Sequence, residues 1–146
     1  MKKCKIIFYI LFIAVTLFIF ANSAKPAVVS SQQSGFLVRL FMAVFSIENR
    51  DVATVIVRKA AHIAEFFAQG AFLSAALFDS FRKNYIYVLF AGLFTAATDE
   101  FIQLFFEGRA GMIEDVFVDF SGTALAVLAA FILIGILKRR KNGVTG

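Results

Sequence analysis

Long apolar blocks rich in Phe, Ile, Leu, Val and Ala alternate along the chain with short polar breaks. Blocks of this kind, apolar on every side, read as helices surrounded by lipid. Four approach or exceed the length a bilayer requires, about 20 apolar residues: residues 6–21, 60–78, 85–106 and 116–137. The first two are separated by a connection of about 38 residues, the others by short turns. Inside that connection a polar stretch, 22–35, precedes an apolar segment, 36–47, broken only by Arg39 and too short to span. It predicts an interfacial or re-entrant helix over the bundle. The expected fold is all-α: one polytopic domain over residues 1–146, a four-helix transmembrane bundle with an outer interfacial helix. No internal repeat is evident.

Composition agrees. Hydrophobic residues make up 60% of the chain, 20 residues are Phe, one is Pro, and mean hydropathy is +0.82. Trp is absent, so Tyr9, Tyr85, Tyr87 and Phe residues must supply any interfacial aromatic belt. A lone Cys4 excludes an internal disulfide and a cysteine-built metal cage. The net charge of +5 does not indicate nucleic-acid binding, because most basic residues flank the apolar blocks, where they serve topology. Lys2, Lys3, Lys5, Arg82, Lys83, Lys138, Arg139, Arg140 and Lys141 place nine of the 15 basic residues at one end of the predicted bundle. The positive-inside rule makes that end cytoplasmic, with both termini there and the 22–59 and 107–114 loops outside. A signal peptide is the competing reading of residues 2–24, opposed by the length and Phe bulk of the apolar stretch. Its removal would leave three spans and the same outer face.

Charge changes the picture more where it falls inside the blocks. Glu65, Asp99, Glu100, Asp115 and Asp119 lie in or at the edge of apolar runs. An ionised group at membrane depth costs about 2.5–3.5 kcal/mol on insertion scales, so such groups face a bundle interior or a wet cavity. Arg58, His62, Glu65 and Gln69 are spaced to share one helical face. Asp99, Glu100 and Gln103 share an arc of the third span, and Asp115, Asp119 and Gly122 align on the fourth. At 1.5 Å per residue, Glu65, Asp99 and Glu100 lie about 10 Å below the outer end and Asp119 about 6 Å. Below them the same faces carry Phe72, Ala76, Gly92, Ala96, Ala126 and Ala129, and the small residues among these permit close helix approach. The prediction is a polar cavity that opens outward and is sealed from the cytoplasm.

In that cavity Arg58, Lys59 and Arg109 face five carboxylates, with His62 undecided. Such crowding requires a protonated carboxyl, a protonated His62 or a bound cation. His62 with one of Glu65, Asp99 or Glu100 is a candidate acid–base set, and Arg58, Lys59, Gln103, Arg109, Asp115 and Asp119 are candidate ligand-binding residues. Ion-pair contacts that merely join helices are the plainer account of the same residues. It is weakened by the modest yield of interhelical polar contacts in membranes, about 0.6 kcal/mol on average. His62 and Glu65 could begin a metal site with Asp119 or Glu100, but no recognised zinc spacing is present, and no metal or cofactor is expected. Glu107 to Gly111 reads as a tight turn, with Arg109 at the cavity mouth able to clamp a phosphate or carboxylate. Motifs for a Ser, Thr or Cys nucleophile are not evident. Ion passage is opposed by the apolar inner halves.

Taken together, Arg58-Lys59-x-x-His62-x-x-Glu65, Asp99-Glu100-x-x-Gln103, Arg109, Asp115, Asp119 and Gly122 resemble the signature of the VanZ-like family of small bacterial membrane proteins. The resemblance covers about residues 15–130 in order and spacing, and its combined motifs are specific although each is weak alone. The polar stretch after the first span resembles the family's Ser-rich segment more loosely. Phe66 stands where a Tyr commonly follows the motif Glu. The resemblance implies a multi-pass protein of the bacterial cell membrane, linked to teicoplanin and lipoglycopeptide resistance or to cell-envelope homeostasis. Its expected partner is a membrane lipid, a lipoglycopeptide or a lipid-linked cell-wall precursor, bound or, alternatively, chemically altered through His62 and an acid.

Overall fold

The computed structural model describes residues 2–143, and the regular structure among them is entirely helical. Five helices follow in order: α1 (Lys2–Ser23), α2 (Ala27–Phe45), α3 (Arg50–Ala76), α4 (Phe81–Gln103) and α5 (Ile113–Gly143). Among the described residues, three segments are long and apolar enough to cross a membrane: Cys4–Ser23, Phe81–Gln103 and Ile113–Leu137. The expected span at 60–78 corresponds to the second half of α3, a helix that ends two residues sooner, carries Lys59, His62, Glu65 and Gln69, and is not among those three. That helix is instead the one with most neighbours: α5, α1, α2 and α4 all pack against it.

Two boundaries differ from expectation for local reasons. The polar stretch before residue 36 is helical, because Pro26 (φ −55°) starts α2 nine residues early. Ser31 and Ser34 hydroxyls donate to the carbonyls of Ala27 and Ser30, so the Ser-rich turn satisfies its polar groups within the helix. Helix α3 begins at Arg50, well before residue 60. Asn49 caps it by accepting from the amides of Asp51 and Val52, and Asp51 complements the helix dipole.

Three apolar clusters hold the arrangement. Val38, Ala53 and Val57 dock α2 on the first half of α3. Ile19, Phe66 and Ala96 join α1, α3 and α4 at mid-height. Leu73, Phe81, Val88, Val127 and Ile134 fill the end that carries the α3–α4 turn, where Lys5 of α1 pairs with Asp79 at 2.8 Å. In lipid, helices associate through close packing rather than through escape from water. The closest seam joins α3 to α5: a Cβ on Gly122 would overlap the carbonyl oxygen of Ile63, and one on Gly92 of α4 would overlap Thr123. Gly92, Ala96 and Ala126 are buried as anticipated, whereas Ala129 is exposed and takes no part in the seam.

At the opposite end, the α4–α5 connection folds back onto the α1–α2 junction, with the Ala27 amide donating to the Glu107 carbonyl at 3.1 Å. Gly108 holds φ +72° there, a left-handed conformation that costs glycine little.

Candidate functional site

At that same end α3, α4, α5 and the 108–112 loop enclose a cavity of about 390 Å³. All six predicted ligand-binding residues line it: Arg58, Lys59, Gln103, Arg109, Asp115 and Asp119. Of the predicted acid–base residues, His62 and Glu100 line it, while Glu65 and Asp99 do not.

Each charged group has a defined setting. Lys59 of α3 pairs with Asp115 in the first turn of α5. Its hydrogen bond with Asp115 holds the ammonium pKa above its ordinary value, with the charges of Asp119 and Glu100 adding to the effect against partial burial. One turn along each helix, His62 Nδ1 lies 3.2 Å from Asp119 Oδ1, and Asp119 is buried. Arg58 lines the cavity and makes no ion pair among the described residues.

Helix α4 supplies a polar clamp. Gln103 Nε2 donates to Asp99 Oδ2 at 3.1 Å and to Glu100 Oε1 at 2.9 Å. Glu100 Oε2 accepts from the Met112 amide at 2.8 Å, which sets a carboxylate at the start of α5, where the helix dipole favours an anion. Gly111 permits this contact, because a side chain there would meet the Glu100 carbonyl. Glu100 thus ties the 108–112 loop through one oxygen and Gln103 of its own helix through the other.

Arg109 differs from the free clamp expected at the cavity mouth. Its Nε and one terminal nitrogen donate to the carbonyls of Lys25, just past α1, and of Asn22 in its last turn, and the other terminal nitrogen donates to Gln103 Oε1. The guanidinium has five donors, so two remain for a ligand. Burial and the neighbouring Arg58 charge lower its pKa, opposed by Asp99 and Glu100, and the group stays cationic at any physiological pH.

The contribution of α1 is absent from the sequence reading. Asn22 donates to Glu65 at 3.3 Å. One turn deeper, Gln69 donates to Thr16 of α1 at 2.7 Å and to Thr95 of α4 at 3.0 Å. Ser23 is buried beside Asp99 without the geometry of a full hydrogen bond. Thr16, Ile19 and Ser23 lie on one helical face, a spacing that could have revealed the site-facing side of α1. Removal of the first span would cost Glu65, Gln69 and Arg109 a partner each.

Asp99 is the deepest acid. It is fully buried, and Oδ1 has no hydrogen-bond partner. One ligand atom each of His62, Asp99 and Asp119 lies within 4.8 Å of the others.

A second recess, apolar and about 450 Å³ in volume, runs between α2 and α3, bordered by Leu40, Phe41, Val44, Ile56, Val57 and Ala60. It lies on the flank of the same α3 segment, residues 55–62, that presents Arg58, Lys59 and His62 to the polar cavity.

Compared with protein families, residues 6–134 match the family model described as VanZ/LLP1. The comparisons with curated proteins and with solved structures each return no match.

Proposed function

The chain belongs to the VanZ/LLP1 family, and on that premise we propose that it is a multi-pass protein of the bacterial cell membrane that binds an amphiphilic envelope molecule through its polar cavity. In this reading α3 is a fourth span beside α1, α4 and α5. Its charged face turns toward partners on those helices, the arrangement that makes ionisable groups tolerable at membrane depth. Helix α2 is the outer interfacial helix, with Phe36, Leu37, Leu40, Val44 and Phe45 exposed for lipid. The positive-inside rule puts the cavity on the outer side.

The observation that carries the binding role is the pairing of a charged cavity with an apolar recess across one segment of α3. A head group would meet Arg58 and the spare Arg109 donors through anionic oxygens, and Asp115, Asp119 and Glu100 through hydroxyl or ammonium groups. An acyl chain would lie along α2. A lipoglycopeptide antibiotic and a lipid-linked cell-wall precursor both have this form, and retention of either would contribute to glycopeptide resistance or envelope homeostasis. The test is lipoglycopeptide susceptibility of cells expressing wild type, Asp119→Asn or Glu100→Gln at matched levels. Wild type raises tolerance and both variants lose the gain; equal tolerance in all three rejects the site.

A second reading, an intramembrane enzyme acting on a lipid head group, is favoured by one contact. His62 Nδ1 is oriented by Asp119, which leaves its other ring nitrogen for proton transfer. It predicts one lipid species that changes in abundance with expression of wild type and not of His62→Ala. Identical lipid profiles refute it.

A further inference from the structure

We propose that His62, Asp99 and Asp119 form a binding site for one divalent first-row transition cation at the floor of the polar cavity. One residue comes from each of α3, α4 and α5, and their ligand atoms lie within 4.8 Å of one another, so that small side-chain rotations bring all three to bonding distance of a single ion. Expectation from sequence paired His62 with Glu65. The fold turns Glu65 toward Asn22 and substitutes Asp99 from the next helix.

A second observation points to a ligand. Asp99 is fully buried and its Oδ1 has only the Ser23 hydroxyl beside it, outside full hydrogen-bond geometry, while its Oδ2 is occupied by Gln103. A buried carboxylate oxygen without a partner is costly, and a cation is the partner it lacks. No Lys or Arg pairs with Asp99 among the described residues: Lys59 is paired with Asp115, Arg109 bonds two carbonyls and Gln103, and Arg58 lines the cavity without reaching an acid. A neutral imidazole, two carboxylates and a divalent ion sum to zero charge, the form most easily carried at membrane depth.

The donor set selects the class of ion. One imidazole nitrogen with two carboxylate oxygens suits zinc, manganese or ferrous iron better than magnesium or calcium, which prefer all-oxygen shells. Gln103 donating to Asp99 is the outer contact that orients a ligating carboxylate. Three protein ligands leave a position open, and His62 and Asp119 line the cavity, so that position faces whatever the cavity holds. Only this last point rests on the binding role proposed above.

The test uses full-length untagged protein in detergent, stripped with EDTA, exposed to ZnCl2 or MnCl2, desalted and assayed for metal, with no amphiphile present. Failure here and failure of the susceptibility assay are thus separate results. Wild type retains about one ion per chain, and Asp99→Asn and His62→Ala retain less than about one-tenth as much. Cobalt substitution of wild type alone gives visible d–d bands that zinc abolishes, a readout that does not depend on any variant folding. Absence of retained metal and of those bands in wild type overturns the proposal. So does retention by a folded Asp99→Asn variant equal to wild type.

Discussion

Replacing Gly122 by Ala separates the two helices on which the site depends. The added methyl would overlap the carbonyl oxygen of Ile63 and lie 3.0 Å from the amide nitrogen of Phe67, both backbone atoms of α3 that cannot turn aside. Restoring ordinary contact distance requires α3 and α5 to part by roughly 1 Å. Overpacking of this sort costs about 1–3 kcal/mol. Ile63 adjoins His62, and Gly122 lies one turn from Asp119, so the same movement lengthens the 3.2 Å contact between them. Two other glycines calibrate the effect. At Gly70 the new methyl meets the Ala126 Cβ at 3.0 Å and the Thr123 Cα at 3.3 Å, a milder overlap than at Gly122, and the cost is less than about 1.5 kcal/mol. At Gly35 in α2 nothing lies within 4 Å, and Ala stabilises the helix by about 0.5–1 kcal/mol. Unfolding in mixed micelles by titration with SDS, followed by circular dichroism, should rank stability as Gly35→Ala, wild type, Gly70→Ala, Gly122→Ala. A Gly122→Ala protein as stable as wild type would refute the seam, and with it the placement of His62 against Asp119.

Two further outcomes follow from the polar contacts. Arg109→Lys keeps the charge but cannot bridge the Asn22 and Lys25 carbonyls and Gln103 together, and loses about 1–3 kcal/mol in the same titration; equality with wild type would show those contacts to be incidental. The Lys59–Asp115 pair, partly exposed, contributes at most about 1 kcal/mol. Because folding raises the Lys59 pKa, that increment is fully present below the unfolded value of 10.5 and is lost as pH climbs through the higher folded value. The stability gap between wild type and Lys59→Ala should therefore be the same at pH 7 and pH 8.5; a gap that shrinks over that range would contradict it.

The sequence revealed the helical fold and most of the cavity lining because intramembrane charge is rare and helical spacing is simple arithmetic. Arg58, His62 and Asp119 could be placed on faces, and depth could be counted from the block ends. Glu65 and Asp99 show where this stops. Both lie on the polar stripes, yet rotation and tilt turn one toward α1 and the other beneath the cavity, and spacing within one helix carries no information about either. Arg109 was legible as a charge in a turn, but its carbonyl partners depend on a fold-back of the 108–112 loop that only tertiary contact sets. The Ser-rich start of α2 was obscured because serine favours turns as readily as the first turns of a helix.

The ties that fix α1 have a consequence for biosynthesis. Thr16, Asn22 and the Lys25 carbonyl are made first, while their partners Gln69, Glu65 and Arg109 are made long afterward. Helix α1 is apolar around nearly its whole circumference, so it can wait in lipid as an independent span until the last hairpin is inserted. Assembly then closes at the beginning of the chain rather than at its end. A ribosome halted before Arg109 would leave the first helix without the ties to its Asn22 and Lys25 carbonyls, and lesions in the 108–112 loop should be felt at the N-terminal helix.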